Sequence, residues 1–514
     1  MIACEARLRT PNRGLSTANM QLSRAKWASE YFGKCHGEQI INVAEAVARA
    51  AYENSKLLAQ QTVSETGYGV VEHKILKNQL CTFELLDYYR DLDLISHRIT
   101  DQFIEIPKPA GVIFALTPVT NPIATIFYKA MISILSRNTI LFSPHPAAKN
   151  VSVAATKIIS EAAVAAGAPE GIFQCIGDPT VDLVEKVMAS ENVDVILATG
   201  GSSMVRAAYS SGNPALGVGP GNAVAYVDET ADVESVAAAL VESKSFDNSI
   251  LCTNESICLT LESSQSNMIR ALRSAGAHIC DASETDRLRD FLWKDGIFNL
   301  EAIGRSATHI ADAAGLRVNP ATKILVPVVE KPGLDDLLFR EKLCPVLALT
   351  SAVDFAQAIT FAKHVSRKGA GHSAAFHGSD MSRLTQFASA LPVYRVVVNA
   401  PCSQAAAGFG SHLAPSFMIG TGFAGRSSIG ENVGPQHLVH WTKVALPTGG
   451  NHSGRSKVMD SSFQQSTLNV EKPRESLGLA DTHNESSLSS SVTRSEIRDL
   501  ILEELKILTR KNND

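Results

Sequence analysis

The spacing of apolar side chains predicts a helical first section of the chain. Between residues 21 and 100, apolar positions recur at helical spacing, as in AEAVARAAYENSKLLAQQTV (44–63). Pro107 and Pro109 close this section. The sequence therefore predicts mostly α-helix before these prolines.

Beyond the prolines, short apolar runs alternate with segments of helical periodicity. The predicted strands are GVIFALTP (111–118), NTILFSP (138–144), GIFQCIG (171–177) and VDVILATGG (193–201). The predicted helices are PIATIFYKAMISIL (122–135), AKNVSVAATKIISEAAVAAG (148–167) and SMVRAAYSS (203–211). This alternation is typical of a mostly parallel, doubly wound α/β sheet, in which ligands bind at the carboxyl ends of the strands.

A second α/β section is predicted from about residue 239 to about residue 415. It begins with a helix that carries VESKSF and continues into SFDNSILCTNES (245–256). After Leu446 the chain becomes rich in Ser, Gly, Asn and Gln. Few large apolar residues remain there, so residues 447–492 are predicted to form a flexible linker.

The last segment, 493–514, regains the pattern of an amphipathic helix. Thr493 and Glu496 form a capping box ahead of an apolar stripe made of Ile497, Leu500, Ile501, Leu505 and Leu508. A short helix on a flexible linker cannot bury such a stripe by itself. It needs a partner, or it docks on its own oligomer or stays frayed.

Composition narrows the function classes. The chain has 514 residues, a net charge of −5 and 45% hydrophobic residues, which indicates a globular protein of three or four folding units. The mild charge argues against nucleic acid or an anionic membrane as the main partner. No apolar run reaches the length of a membrane span, and no secretory signal is expected. Nine cysteines without a C-x-x-C pair favour a reducing cytosol and predict no metal site.

Three glycine-rich motifs are candidates for ligand binding. GTGFAG (420–425) matches G-x-G-x-x-G but opens no long helix, so we reject it as a dinucleotide loop. ATGGSS (198–203) ends a strand and opens a helix, which suits either a phosphate or an ordinary tight turn. GVGPGN (217–222) allows close backbone approach, and a packing role is equally compatible.

Cys252 differs from the other cysteines in its local context. It follows the polar turn Asp247–Ser249, which suggests a loop at a sheet edge. Cys258, in ICLTL, has strand spacing and is predicted to be a core residue. A thiol is reactive where its thiolate is favoured and exposed, but local context leaves Cys252 open as nucleophile or core thiol.

Seven stretches, taken in order, carry a family resemblance. They are GVIFALTPVTNPIATIFYKA, RNTILFSPHPAAK, ILATGGSSMVRAAYSSGNPALGVGPGN, KSFDNSILCTNES, EKLCPVLAL, GAGHSAAFH and GENVGPQHLVHW. Together they resemble the CoA-acylating branch of the aldehyde dehydrogenase superfamily, and in particular the aldehyde dehydrogenase half of bifunctional aldehyde–alcohol dehydrogenases. The resemblance covers roughly residues 20–446.

The resemblance implies an α/β fold with three parts: a Rossmann-like NAD domain, an α/β catalytic domain and a β oligomerisation flap. The predicted segments are 1–238 for NAD binding, with N-terminal helices and flap strands near 95–106, then 239–414 for catalysis, 415–446 for oligomerisation and return, 447–492 as a disordered linker and 493–514 as the terminal helix. A homo-oligomer, either a dimer or a tetramer, is expected.

The resemblance also assigns catalytic roles. Cys252 matches the nucleophile that attacks an aldehyde carbonyl. Asn121 matches the side-chain donor to the resulting oxyanion, with the Cys252 backbone N–H as the second donor. His372 is a candidate general base, and the alternative is a structural loop histidine.

Cofactor contacts follow from the same resemblance. Glu341 matches the carboxylate that holds the nicotinamide ribose, and the alternative is a surface helix charge. The other expected contacts of NAD are Thr117, Pro118, Ser143, Pro144, Gly200, Gly201, Ser202, Gly217 and Gly219.

The residue at position 217 indicates whether water or a thiol is expected to remove the acyl group. Hydrolytic aldehyde dehydrogenases carry a water-activating glutamate in a Glu-Leu-Gly-Gly motif, and Gly217 stands at that position. Removal of the acyl group by a thiol is therefore expected, with coenzyme A as co-substrate. The predicted reaction oxidises acetaldehyde or propionaldehyde with NAD to an acyl-CoA. The alternatives are an acylating enzyme for sulfoacetaldehyde or succinic semialdehyde, a hydrolytic dehydrogenase, and an inactive scaffold.

The terminal segment resembles the encapsulation peptides of enzymes in bacterial microcompartments, which are short amphipathic helices on disordered linkers. The resemblance implies a microcompartment shell protein as a partner through 493–514. The expected localisation is cytoplasmic, in the microcompartment lumen.

Overall fold

Helices form the first section of the chain, as predicted. The computed structural model describes residues 13–100, 102–329, 335–369 and 371–445, so the linker and the terminal helix predicted for 447–514 lie outside the described residues. The first helices are α1 (Arg13–Phe32), α2 (Gly37–Glu53), α3 (Ser55–Thr66), α4 (Val71–Gln79) and α5 (Leu85–Tyr88).

The helical pattern over 44–63 is interrupted at Asn54, between α2 and α3. The Asn54 side chain donates a hydrogen bond to the Ala50 carbonyl at 2.8 Å. Such a side-chain bond to the backbone competes with helix continuation. Apolar periodicity alone does not reveal this break.

The first large sheet contains the strands predicted between 111 and 201. Its parallel strands lie in the order β5-β4-β3-β6-β7. The strands of this part are β1 (Arg98–Ile99), β2 (Phe103–Pro109), β3 (Val112–Thr117), β4 (Thr139–Pro144), β5 (Phe173–Cys175), β6 (Val195–Thr199) and β7 (Ala215–Val218). The helices are α6 (Pro122–Leu135), α7 (Lys149–Ala165), α8 (Val181–Met188) and α9 (Ser202–Tyr209).

A second parallel sheet has the order β14-β9-β8-β15-β16. The strands of the remaining chain are β8 (Ala223–Val227), β9 (Glu255–Leu261), β10 (Ala277–Cys280), β11 (Trp293–Lys294), β12 (Ile297–Phe298), β13 (Ile324–Pro327), β14 (Ala348–Ala352), β15 (Ser373–His377), β16 (Arg395–Val398) and β17 (Val439–Ala445). The helices are α10 (Val233–Ser245), α11 (Glu262–Ser274), α12 (Ala282–Leu292), α13 (Ala307–Ala313), α14 (Phe355–Lys368), α15 (Met381–Ala390) and α16 (Cys402–Ala405).

The change from the first sheet to the second falls between Val218 and Ala223, because β8 pairs with β9 and β15. The domain boundary predicted at 238/239 lies after this strand. The division into domains stays a prediction. The described residues up to 445 belong to one compact unit.

A third sheet joins distant parts of the sequence. Its order is β1-β2-β17, and all its pairings are antiparallel. Its strands lie in or beside the two segments expected to form the flap, 95–106 and 415–445. No helix among the described residues has the length and apolar character that crossing a bilayer requires.

Candidate active site

Cys252 follows a backbone turn in an unfavourable conformation. Asp247, Asn248 and Ser249 have φ values of 48°, 53° and 63°, in the left-handed region that costs energy for residues other than glycine. Three such residues in succession persist only where surrounding contacts fix them. The loop then reaches β9, and Cys252 is partly exposed while Cys258 is fully buried.

The buried carboxylate of Asp247 anchors this turn. It accepts hydrogen bonds from the Val70 N–H at 2.6 Å, from Lys74 Nζ at 3.1 Å and from Lys77 Nζ. Burial opposes its ionisation, but the charges of Lys74 and Lys77 outweigh burial and lower the pKa of Asp247. Burial also lowers the pKa of Lys77, to about 8. The turn is therefore held by ionic contacts to α4.

Asn121 lies directly before α6 and is connected to the same network. Its Oδ1 accepts a hydrogen bond from Lys77 Nζ, which leaves its Nδ2 as the donor facing the Cys252 loop. Nδ2 lies 3.4 Å from the carbonyl oxygen of Ile250. The structure thus brings Asn121 to the loop of Cys252, as predicted for the oxyanion donor.

Cys252 and His372 form a direct pair. The Sγ of Cys252 lies 3.3 Å from Nε2 of His372, whose Nδ1 lies 2.8 Å from the Ser373 hydroxyl. Burial, with a smaller contribution from the Arg395 charge, holds the pKa of His372 well below its usual value, so the ring is neutral at pH 7. Burial and the charge of Glu341 raise the pKa of Cys252 to about 12. The resting pair is a thiol beside a neutral imidazole that can accept its proton.

Gly221 explains why GVGPGN is dense in glycine. A Cβ at Gly221 would lie 2.1 Å from the carbonyl oxygen of Cys252, so a side chain cannot be placed there without displacing the loop. The Gly221 N–H donates to Oε1 of Glu341 at 2.9 Å. The backbone thus approaches the nucleophile loop closely.

Glu341, which accepts from the Gly221 N–H beside the Cys252 loop, lies outside the helices. It follows a 3-10 turn at Leu337–Phe339 and is partly buried. Burial raises the pKa of Glu341 to about 7. The alternative of a charge on a surface helix does not describe this position.

The other expected NAD contacts lie mainly at one edge of the first sheet. Thr117 ends β3 and is paired with Pro144 at the end of β4, while Gly200, Gly201 and Ser202 follow β6. The hydroxyls of Thr117 and Thr199 are buried and have no hydrogen-bond partner among the described residues. Gly201 precedes α9 without a side-chain cap. Helix N–H groups without a side-chain cap fit the phosphates of a dinucleotide.

Gly217 is enclosed, whereas Gly219 has open space around it. A Cβ at Gly217 would lie 2.7 Å from Val205 and 2.8 Å from the Tyr209 ring. The Gly217 N–H donates to the Tyr209 hydroxyl at 2.9 Å. A glutamate at position 217 would therefore displace α9, so this position cannot easily supply a water-activating carboxylate.

GTGFAG contains only a 3-10 turn, Phe423–Gly425, and opens no long helix. Its rejection as a dinucleotide loop agrees with this geometry.

Lys74, Lys77 and Arg395 were missed as site residues. Their sequence context offers no signal that separates a buried cation from a solvated one.

Residues 6–283 match the aldehyde dehydrogenase family. The chain belongs to this family. It is 37% identical over 434 residues to the aldehyde-alcohol dehydrogenase of Clostridium acetobutylicum, covering 83% of this chain and 50% of that protein. The chain thus spans about half the length of this relative. It is 34% identical to the succinate-semialdehyde dehydrogenase (acetylating) of Clostridium kluyveri, covering 82% of this chain and 94% of that protein.

Solved structures of aldehyde dehydrogenases share this fold. The acetylating aldehyde dehydrogenase of Geobacillus thermoglucosidasius is similar with a TM-score of 0.83 and 32% identity, covering 85% of this chain and 98% of that chain. A propionaldehyde dehydrogenase from the fucose utilisation bacterial microcompartment of Clostridium phytofermentans has a TM-score of 0.76 and 28% identity, covering 83% and 97%. The α/β aldehyde dehydrogenase fold predicted from the sequence is confirmed.

Proposed function

We propose that the chain is a NAD-dependent, CoA-acylating aldehyde dehydrogenase that converts acetaldehyde or propionaldehyde to the acyl-CoA. The observation that carries the proposal is the 3.3 Å contact between Cys252 Sγ and His372 Nε2, in a loop that Asn121 also reaches. Acylating activity in the names of two relatives supports the same reaction.

In this proposal, Cys252 transfers its proton to Nε2 of His372 as Sγ bonds to the aldehyde carbon. The carbonyl oxygen gains the negative charge, and Asn121 Nδ2 and the Cys252 N–H donate to it. Loss of hydride from the former aldehyde carbon leaves a thioester on Sγ. His372 releases its proton to solvent and then accepts the proton of an attacking thiol, whose sulfur bonds to the thioester carbon. The bond from that carbon to Sγ breaks, and Cys252 recovers a proton from His372.

NAD, when bound, supplies the hydride acceptor. Thr117, Pro118, Ser143, Pro144, Gly200, Gly201, Ser202, Gly217 and Gly219 are the proposed contacts, and Gly217 would contribute backbone only. Glu341 is proposed to bind the ribose hydroxyls. Its pKa of about 7 makes this contact sensitive to pH, because only the charged form is a pure acceptor.

The thiol that removes the acyl group is proposed to come from coenzyme A. Without CoA, we expect no NADH beyond one equivalent per active site, because no carboxylate at position 217 activates water. NADH is followed by absorbance with and without CoA at a fixed aldehyde concentration. Sustained CoA-independent NADH production would instead support hydrolysis, and no burst at all would support an inactive scaffold.

The identity of the aldehyde is tested with a substrate panel. Succinic semialdehyde and sulfoacetaldehyde each appear in the name of a relative, and both are alternatives. A panel of these four aldehydes, compared by kcat/KM in the CoA-dependent assay, distinguishes them.

The terminal segment 493–514 is proposed to bind a microcompartment shell protein, which would place the enzyme in the lumen. Support comes from its amphipathic sequence and from a similar enzyme that belongs to a microcompartment. The sheet β1-β2-β17 is proposed as the oligomerisation surface, in a dimer or tetramer.

Deletion of residues 447–514 should leave kcat/KM unchanged within about twofold, because every proposed catalytic residue precedes this segment. The same deletion should abolish co-purification with shells. A second variant, with only the five stripe residues changed to serine, should also lose the shells; these are Ile497, Leu500, Ile501, Leu505 and Leu508. Unchanged shell association of both variants would contradict the proposal.

A further inference from the structure

A buried arginine lies behind the Cys252–His372 pair. Arg395, at the start of β16, is only 3% exposed. Its guanidinium donates to the carbonyls of His372 at 2.7 Å, Gly420 at 2.9 Å and Gly430. Its Nε is buried and has no partner among the described residues. The cation is thus held in place by three carbonyls.

No carboxylate among the described residues compensates this charge. Burial lowers the pKa of Arg395 to about 10, and the groups that oppose this are the thiols of Cys252 and Cys402 and the phenol of Tyr394. Burial and the charge of Glu255 raise the pKa of Cys402 well above its usual value, so it stays a thiol. A buried cation is costly unless an anion accompanies it. The anion available to Arg395 is the one that forms at Cys252.

Three described groups bear on the charge at Cys252: His372, Glu341 and Arg395, which donates to the His372 carbonyl. His372 is in contact with Sγ but is neutral, and Glu341 carries the wrong sign to favour a thiolate. Of the charged groups acting on Cys252 in the described part of the chain, only Arg395 favours the anion.

We propose that Arg395 is a positioning residue whose buried positive charge stabilises the thiolate of Cys252. The inference rests on the proposed role of Cys252 as nucleophile and goes beyond it, because it names what stabilises the attacking anion. It also assigns a role to the glycine-rich segment 420–430, whose motif GTGFAG we rejected as a dinucleotide loop.

Two carbonyls of the segment 420–430, those of Gly420 and Gly430, accept hydrogen bonds from Arg395. A Cβ at Gly430 would lie 2.3 Å from the ring of Tyr394, and a Cβ at Gly420 would lie 2.4 Å from the Ile429 carbonyl oxygen. Glycines let the backbone come near enough for its carbonyls to accept from Arg395. Gly420, the first residue of GTGFAG, therefore contributes one of the three carbonyls that hold the cation, and Gly430, beyond that motif, contributes a second.

The test is the rate at which iodoacetamide alkylates Cys252 in the full chain at pH 8, followed by mass spectrometry of the peptide that contains it. In Arg395→Gln we expect the rate to fall roughly three- to thirtyfold. Losing a neighbouring opposite charge raises a thiol pKa by about one to three units. Each unit lowers the thiolate fraction about tenfold, but the thiolate that remains is more nucleophilic, so the rate falls by less than the thiolate fraction. Arg395→Lys keeps the charge and should react within about twofold of the wild type.

Replacing an arginine that only supports the fold should lower the melting temperature without changing the alkylation rate of Cys252. Arg137 is a matched control, because it is buried and donates to the carbonyls of Gly33, Leu94 and Pro107 while its Nε is unpartnered among the described residues. Arg137→Gln and Arg137→Lys should reduce the melting temperature and leave Cys252 alkylation unchanged.

The outcomes distinguish an arginine that stabilises the Cys252 thiolate from one that only supports the fold. An unchanged rate in folded Arg395→Gln would overturn the proposal, as would an Arg395→Lys rate reduced as strongly as that of Arg395→Gln. If Arg395→Gln does not fold, Arg395→Met takes its place as the variant that removes the charge, and an unchanged alkylation rate in folded Arg395→Met would likewise overturn the proposal. Alkylation needs neither aldehyde nor CoA, so a failure of the proposed acylating activity would leave this result readable.

Discussion

Replacing Cys252 with alanine should abolish acyl-CoA formation while NAD binding survives. The expected loss in kcat is on the order of 10⁴-fold or more, because removal of a nucleophile eliminates the covalent route altogether. Alanine leaves the backbone N–H and the loop in place, so the dinucleotide edge of the first sheet is not disturbed. CoA-dependent NADH production measures the first effect, and titration calorimetry with NAD measures the second.

Cys175 provides the matched control, since it is also partly exposed but lies in β5 at the edge of the first sheet. Cys175→Ala should retain wild-type turnover. Turnover retained by Cys252→Ala would remove this residue from the mechanism. Loss of NAD binding together with activity would indicate that the loop had collapsed.

The elements of the fold were predictable where one local signal dominates. The helix predicted over 122–135 has those bounds in the structure, because Pro122 suits a first turn and the following residues are apolar throughout. The strands of the first sheet are near-continuous apolar runs, as parallel strands buried on both faces must be. The break at Asn54 was missed because it depends on one side-chain hydrogen bond.

The site was only partly predictable, because its decisive contacts join distant residues. Asp247 stood in a noticeable polar turn, but its partner Lys77 is separated from it by 170 residues. Lysines are mostly exposed, so nothing in EHKILKNQ distinguishes Lys74 and Lys77 from a solvated helix face. Gly221 could have been suspected from the density of glycines in GVGPGN, yet its contact with the Cys252 carbonyl required coordinates.

Asn121→Ala should lower the single-turnover rate of thioester formation by about 10²- to 10³-fold, or about 2.7–4 kcal/mol, the usual effect of losing one oxyanion donor. The KM for the aldehyde should change much less, because the charge on the oxygen develops only in the transition state. Rapid-mixing measurement of the NADH burst tests this. A matched control is Asn138→Ala, since Asn138 is buried at the opposite, amino end of β4 and should affect stability instead.

Lys77→Met extends the same prediction to the residue that orients the amide. Without Lys77, the Asn121 Oδ1 loses its donor and the amide is free to turn its oxygen toward the developing charge, where it would repel it. The burst rate should therefore fall by about tenfold or more, and the double variant Asn121→Ala/Lys77→Met should be little slower than Asn121→Ala alone. Strict additivity of the two losses would show that Lys77 acts only through Asp247 and the strained turn, independently of the oxyanion donor.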